Sequence, residues 1–194
     1  MTGILIALAA IPISALLWGL FTGRWSAESR RSRKLQADTA AVNPAMRFPV
    51  PWVFILVYLA GVAVQHFVPI SIHSPDVSRI MRTGGFVLIG IGIFVAFSAL
   101  GIFKRVSTTT VPFERPSTLV TSGPYRFTRN PMYVALTLVY LGVAGTRLEI
   151  WPLIVLPLVL VYVNFLVIPF EERRLHDVFG DAYQAYGARV RRWL

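Results

Sequence analysis

The stretch SGPYRFTRNPMYVALTLVYLGVAG, residues 122–145, places a polar cluster directly before a run of mostly apolar residues. A Gly-Pro turn and two arginines lead into Arg-Asn-Pro-Met-Tyr. A proline is well suited to the first position of a helix, where its missing N–H is not needed. The pattern therefore predicts a helix that begins at Pro131, with polar groups gathered at its entrance.

The composition indicates which solvent surrounds the apolar run. The chain has 194 residues, of which 55% are hydrophobic and 14% are charged, and its mean hydropathy is +0.62. The apolar residues are concentrated in long runs instead of amphipathic stripes, which favours a lipid bilayer over water. The chain has no cysteine, which excludes disulfides, thiolate metal sites and a cysteine nucleophile.

Five runs are candidates to cross a bilayer, which takes about 17 to 25 residues each. The first lacks a basic segment before it and is long for a signal peptide, so we interpret it as a span. Only TRLE separates the fourth run from the fifth, which predicts an antiparallel helical hairpin. A hairpin returns the chain to its starting side, so we expect the Arg-Asn-Pro-Met-Tyr segment and the Glu-Glu segment after the fifth run to lie side by side. The fold class predicted is therefore an all-α integral membrane protein with five transmembrane helices, at residues 4–21, 51–68, 84–103, 131–145 and 150–170.

The basic residues predict an orientation. The segments after the first, third and fifth runs hold 16 lysines and arginines, whereas those after the second and fourth hold 3. This asymmetry predicts an N-terminus outside and a C-terminus in the cytoplasm. The net charge of +10 is then a feature of topology and of contact with membrane lipids. The chain has no separate basic soluble domain, so we expect no nucleic-acid partner.

Two regions follow from this arrangement. Residues 1–103 form a membrane scaffold of three spans with a basic cytoplasmic loop. Residues 104–194 hold a polar loop, the hairpin and a C-terminal amphipathic helix. We expect that last helix to start at Pro169, with Glu171 and Glu172 in its first turn, and to be weakened or interrupted at Gly180 and Gly187.

Several polar residues have ordinary interpretations when taken singly. Asn164 inside the fifth span is more often an interhelical hydrogen-bond donor than a ligand contact. His176 and Glu172 are one helical turn apart, but two residues are weak evidence for a metal, and we predict no metal site. The Gly-x-Gly at Gly90 and Gly92 lies within a span and indicates close helix packing.

The order of the motifs is more specific than any one of them. Gly-Pro-Tyr, then Arg-Asn-Pro-Met-Tyr opening a hairpin, then Glu-Glu-x-x-Leu-x-x-x-Phe-Gly-x-x-Tyr-x-x-Tyr resembles the isoprenylcysteine carboxyl methyltransferases and their relatives. Those relatives include phospholipid N-methyltransferases. The resemblance covers roughly residues 117–192 and implies a membrane methyltransferase with a cofactor pocket at the cytoplasmic mouth of the last two spans.

The resemblance also implies S-adenosylmethionine as the cofactor, with S-adenosylhomocysteine as the product. Two departures bear on the acceptor: Asn130 stands where the family has histidine, and Val167 where the eukaryotic enzymes have an arginine for the substrate carboxylate. We expect Arg173 or Arg174 to take over that catalytic role. The implied cofactor-binding residues are Ser117, Thr118, Leu119, Val120, Tyr125, Arg129, Asn130, Pro131, Met132, Tyr133 and Glu171, with Glu172 as the alternate carboxylate.

These residue types suit the chemistry of the cofactor. A carboxylate at Glu171 can accept hydrogen bonds from ribose hydroxyls or the ammonium group. Arg129, Asn130 and main-chain N–H groups at the start of the fourth span can hold the cofactor's carboxylate. Tyr125, Tyr133 and Leu119 offer apolar or ring surface for adenine.

The acceptor is expected to be lipid-like, and its class stays open. A carboxylate of the isoprenylcysteine type is ionised at neutral pH and needs no base, whereas a phospholipid or other amine must lose a proton. Two further alternatives are a membrane sterol reductase that uses NADPH and a non-catalytic membrane scaffold. The sequence leaves the oligomeric state open.

Overall fold

The computed structural model describes residues 49–105 and 118–194, and of residues 103–105 only the backbone. Within those ranges every regular element is helical. The predicted first span, most of the basic loops and Ser117 lie outside the described residues. The elements are α1 Val50–Phe67, α2 Pro75–Arg105, a 3-10 turn Gly123–Arg126, α3 Pro131–Arg147, α4 Ile150–Tyr162, a π-helical turn Val163–Val167, α5 Ile168–Phe179 and α6 Asp181–Arg189.

Three of the described helices are long and apolar enough to cross a membrane: Val50–Phe67, Pro75–Ile102 and Ile150–Phe179. They contain the predicted second, third and fifth spans. Many of their large apolar side chains face outward, Phe86 and Phe94 at 69% and 72% exposure among them, as expected where the surroundings are hydrocarbon. Helix α3 begins at Pro131 as predicted, but it has 17 residues and is shorter than these three. The predicted count of five spans stays a prediction.

The helix that follows the hairpin turn differs from the prediction. Pro169 does not start a separate helix, because Ile150–Phe179 is one continuous helix of 30 residues. A proline within a helix lacks an N–H and its ring crowds the carbonyl four residues back. The π-helical turn Val163–Val167 directly precedes it, with the N–H of Ile168 donating to the carbonyl of Val163. This wider turn adjusts the backbone where the proline would otherwise break the helix.

The two glycines predicted to interrupt the C-terminal helix behave differently. Gly180 has a φ of +51° and separates α5 from α6, as predicted. Gly187 lies inside α6 and does not interrupt it, and whether this glycine weakens the helix stays a prediction. A Cβ at Gly187 would lie 2.9 Å from Nη1 of Arg129, which shows that this glycine leaves room for a guanidinium group.

The predicted hairpin of α3 and α4 is present, but its two helices pack mainly on other partners. Only Leu148 and Glu149 connect them, and Leu148 has a φ of +58°. Helix α3 packs mainly against α2, while α4 packs mainly against α1. The hairpin therefore has a tight turn at one end and an open end, at Pro131 and Ile168, where the polar segments lie.

Polar contacts join α1 to the tight end of the hairpin. The buried carboxylate of Glu149 accepts hydrogen bonds from the hydroxyl of Tyr58 and from Nε of Arg147. The indole Nε1 of Trp151 donates to the carbonyl of Val68 at 2.7 Å. Because a buried carboxylate is costly unless it is paired, these contacts fix the turn against α1.

Glycines allow the close contact of α2 with α3. A Cβ built on Gly85 would lie 2.6 Å from the carbonyl oxygen of Gly142, and one on Gly92 would lie 2.9 Å from that of Ala135. Such contacts are shorter than a methyl group tolerates, so the backbones approach as closely as small residues permit. The interpretation of the Gly-x-Gly as a packing motif is thus confirmed for Gly92, but it is wrong for Gly90, because nothing among the described residues lies within 4 Å of a Cβ there.

We predict that Gly85→Ala destabilises the protein while Gly84→Ala does not. The added methyl at Gly85 meets backbone atoms of α3, which should cost about 1–3 kcal/mol, whereas nothing lies within 4 Å of a Cβ at Gly84. Both substitutions improve helix propensity equally, so Gly84→Ala is a matched control. The measurement is the thermal unfolding midpoint in detergent, and equal midpoints for the two variants would contradict the packing argument.

Candidate functional site

The entrance of α3 is built by short-range hydrogen bonds. The buried hydroxyl of Thr128 accepts from the N–H of Asn130 at 3.1 Å, and the carbonyl of Asn130 accepts from the N–H of Tyr133 at 3.1 Å. Pro131 occupies the first helical turn and is fully buried. Because the N–H groups of Asn130 and Tyr133 donate within the protein, the side chains at this entrance are the groups that face other partners.

The hairpin brings the two predicted polar segments together. The hydroxyl of Tyr133 on α3 donates to Oε1 of Glu171 on α5 at 2.6 Å. Tyr133 is buried and Glu171 is half-buried. A hydrogen bond between residues 38 positions apart shows that the open end joins the Arg-Asn-Pro-Met-Tyr segment to the Glu-Glu pair, as the sequence predicted.

The second carboxylate of the pair lies between two arginines. Glu172 Oε1 is 3.2 Å from Nη2 of Arg129, and Glu172 Oε2 is 2.6 Å from Nη2 of Arg192. Nε of Arg192 also donates to Oε1 at 3.2 Å, so that arginine binds the carboxylate through two nitrogens. Such paired, charge-assisted contacts fix both position and orientation.

Arg129 carries a donor that the described part of the chain does not use. Its Nε is buried and has no hydrogen-bond partner among the described residues. Its guanidinium lies beside Gly187 and interacts with the hydroxyl of Tyr183. Burial raises the pKa of Tyr183, which keeps that phenol neutral at physiological pH. The described residues therefore leave one hydrogen bond of this guanidinium unmade.

Helix α6 covers the same cluster from the other side. The hydroxyl of Tyr186 donates to the carbonyl of Tyr125 at 2.8 Å, which ties α6 to the 3-10 turn. Burial raises the pKa of Tyr186 to about 12, so its proton stays available for this bond. Tyr183 and Tyr186 also contact each other edge to face, with ring centroids 6.1 Å apart.

The other predicted site residues vary in burial. Val120 is buried, Leu119 and Met132 are half-buried, and Thr118 is exposed, while Ser117 lies outside the described residues. Their assignment to a cofactor stays a prediction.

The two predicted catalytic arginines occupy different surroundings. Arg173 is exposed. Arg174 is half-buried, with its guanidinium carbon 5.7 Å from the ring centroid of Phe170. It also interacts electrostatically with Glu171. Of the two, Arg174 lies nearer the carboxylate pair, and the catalytic role of either residue stays a prediction.

An apolar groove of about 600 Å³ runs between α3 and the π-helical turn. Its few polar groups include Thr137, whose hydroxyl donates to the carbonyl of Tyr133, and Asn164. Asn164 Oδ1 accepts from the indole Nε1 of Trp193 at 2.9 Å. This is a structural contact, but Asn164 is the acceptor and Trp193 lies outside the helices, so the expected interhelical donor role is not what the structure shows. The lining residues are Val134, Thr137, Leu138, Leu160, Val161, Asn164, Phe165, Trp193 and Leu194.

Sequence reasoning did not identify Arg192 or Trp193 as part of this region. The available signal was weak, because arginines near the end of the chain fit the orientation rule without further explanation. The carbonyl of Arg192 accepts from Nδ2 of Asn130 at 2.9 Å and from Oγ1 of Thr128 at 3.1 Å. These contacts depend on tertiary placement and leave no local pattern.

The comparisons with known proteins agree with the resemblance read from the sequence. The model of the family described as phospholipid methyltransferase matches residues 80–182, a little more than half of the chain. The searches of curated proteins and of solved structures found no match to the chain. The matched segment contains α3, the hairpin turn, both glutamates and the apolar groove apart from Trp193 and Leu194. The chain therefore belongs to the phospholipid methyltransferase family of membrane methyltransferases, in which the isoprenylcysteine-type and phospholipid-type enzymes are grouped.

Proposed function

We propose that the chain is an integral membrane methyltransferase that uses S-adenosylmethionine and methylates a lipophilic acceptor. The observation that carries the proposal is the position of the paired carboxylates. Tyr133–Glu171 and Arg129–Glu172 lie at the open end of the hairpin, beside an apolar groove whose lining includes Val134, next to Tyr133 in the chain. Family membership supports the reaction class.

The residues present fit S-adenosylmethionine. The buried Nε of Arg129 lacks an acceptor among the described residues and suits the carboxylate of the amino acid moiety. Glu171 uses Oε1 for Tyr133, and a carboxylate has further lone pairs for ribose hydroxyls or an ammonium group. The rings of Tyr125 and Tyr133 lie at the same mouth and suit an adenine.

Methyl transfer depends on positioning and exclusion of water more than on proton transfer. When bound, S-adenosylmethionine supplies a methyl group on a positively charged sulfur. The protein's own contribution is to hold Glu171 through the Tyr133 hydroxyl and to hold Arg129 through Glu172. The buried side chains of Tyr133, Val167 and Ile168 keep the floor of this region dry.

The groove suits the apolar part of the acceptor. Its volume of about 600 Å³ falls within the usual range for small-molecule sites. Val161 and Phe165 on its rim are 55% and 69% exposed, so the groove opens sideways to the surroundings of the helices. A lipid chain can therefore enter from the bilayer, while a water-soluble cofactor reaches the polar mouth from the cytoplasm.

The head group of the acceptor is expected to carry an anion. Arg174 is half-buried and interacts with Glu171, and guanidinium groups recognise both carboxylate and phosphate. In an isoprenylcysteine-like acceptor the anion is the carboxylate, which is also the nucleophile that accepts the methyl group. A phospholipid amine supplies it as the neighbouring phosphate, and the family description favours this second class. Transfer of labelled methyl groups to each of the two lipids separates them.

We predict saturable binding of S-adenosylhomocysteine to the detergent-purified protein, measured by isothermal titration calorimetry. Glu171→Gln should raise the Kd about tenfold or more, because it weakens a charged hydrogen-bond acceptor. Asp177→Asn is the matched control, since Asp177 is an exposed carboxylate on the same helix and should leave the Kd unchanged. NADPH should not bind.

The same titration separates the alternatives. A sterol reductase would bind NADPH in place of S-adenosylhomocysteine. A scaffold would bind neither, and would tolerate Glu171→Gln and Tyr133→Phe without any change in ligand binding. Either result from a folded preparation would overturn the proposed activity.

We also predict that Val161→Phe impairs use of the acceptor without affecting the cofactor. The larger ring narrows the groove, which should raise the acceptor KM about fivefold or more while the Kd of S-adenosylhomocysteine stays the same. Leu158→Phe is the control, because Leu158 is 67% exposed on the same helix but does not line the groove. The probes are a prenylated cysteine and phosphatidylethanolamine in mixed micelles, and equal KM values for the two variants would exclude the groove as the acceptor site.

A further inference from the structure

We infer that residues 190–194, here named the tail segment, position the cofactor-binding side chains of the methyl-transfer site. The inference rests on the proposed function and adds Arg192 and Trp193 to it as positioning residues. Both lie beyond residue 182, where the match to the family ends. The tail segment follows α6 and begins at Val190, whose backbone is extended, with φ −120° and ψ 130°.

Main-chain carbonyls of the tail segment hold the entrance of α3. The N–H of Arg129 donates to the carbonyl of Arg191 at 2.9 Å. The carbonyl of Arg192 accepts from both Oγ1 of Thr128 and Nδ2 of Asn130. Three consecutive residues of the entrance are therefore bonded to two consecutive carbonyls, so the placement of Arg129 follows that of the tail segment.

The side chain of Arg192 acts on Glu172 from the opposite side. It binds both carboxylate oxygens, at 2.6 and 3.2 Å, while Arg129 binds Oε1 at 3.2 Å. The hydrogen bonds with Glu172 raise the pKa of Arg192, in keeping with a charged pair. Because Glu172 is half-buried and its two oxygens are oriented by Arg192, the direction in which it presents Oε1 to Arg129 depends on Arg192.

Trp193 anchors the tail segment at the apolar side. Its indole N–H donates to Asn164 on the π-helical turn, and its ring lines the groove. The side chains of these two adjacent residues thus contact different regions: Arg192 lies at the polar mouth and Trp193 lines the groove. The bond to Asn164 fixes where the segment passes between them, so loss of either contact should loosen Arg129 and Glu172 together.

The test compares Arg192→Ala with Arg192→Lys and Arg189→Ala in the full chain. Arg189 is exposed and lies on α6, outside the tail segment, and its substitution by alanine removes the same charge as Arg192→Ala. We expect Arg192→Ala to raise the Kd of S-adenosylhomocysteine about tenfold to a hundredfold, as for loss of a charged hydrogen-bond partner, with the acceptor KM unchanged. Arg192→Lys should recover part of the affinity, and Arg189→Ala should match the wild type.

Each result has a defined meaning when thermal midpoints are measured alongside. A Kd for Arg192→Ala within twofold of the wild type would overturn the positioning role while leaving the proposed function intact. An equal loss of affinity for S-adenosylhomocysteine in Arg189→Ala would also overturn the positioning role, because the loss would then follow from net charge. If Arg192→Ala lowers the thermal midpoint but the folded variant binds S-adenosylhomocysteine with an unchanged Kd, Arg192 contributes to stability alone and the positioning role is overturned. Wild-type protein that binds no S-adenosylhomocysteine would overturn the proposed function and this inference together.

A second variant tests the anchor without altering charge. Trp193→Phe keeps an aromatic ring in the groove but removes the indole N–H that reaches Asn164. We expect a rise of several-fold in the same Kd, because the tail segment then loses its bond to the π-helical turn. An unchanged Kd would remove Trp193 from the set of positioning residues.

Discussion

The carboxylate of Glu172, held between the guanidinium groups of Arg129 and Arg192, is the interaction on which the candidate site depends. It joins the entrance of α3, helix α5 and the residues after α6, which are far apart in the sequence. A half-buried carboxylate between two arginines is favourable only while all three groups keep their geometry. The interaction therefore stabilises one arrangement of these segments relative to others. A site with hydrogen-bond donors at fixed positions requires such a preference.

That arrangement is possible because backbone geometry leaves space for it. Gly187 leaves room for the Arg129 guanidinium within an otherwise regular helix, and Gly180 allows α6 to turn back over the site. The π-helical turn before Pro169 keeps Ile150–Phe179 continuous, so that the membrane helix itself carries Glu171 and Glu172 to the mouth. Each of these features is a local departure from ideal helix geometry located next to the polar cluster.

Sequence patterns predicted the parts of this structure that local chemistry determines. The length of the hydrophobic runs predicted the helices α1, α2 and α4. Pro131 predicted the start of α3, and the short TRLE connection predicted the hairpin. The same patterns predicted that Tyr133 and Arg129 would meet the glutamate pair, because a hairpin returns the chain to its starting side. They failed at Pro169, where a proline signal is ambiguous between a helix start and a tolerated interior position. They also failed at Arg192 and Trp193, since contacts between residues 20 to 64 positions apart have no local signature.

The adjacency of a polar mouth and an apolar groove follows from how the hairpin packs. If α3 and α4 packed on each other along their whole length, the space between them would be filled by their side chains. Instead the glycines of α2 draw α3 to one side, and the aromatic and aliphatic contacts of α1 hold α4 on the other. The helices stay joined at the Leu148–Glu149 turn and at the Tyr133–Glu171 bond, with the groove between these two points. The proposed site for two substrates of opposite solubility is thus a consequence of helix pairing, and the polar bonds at the open end determine where the polar mouth meets the apolar groove.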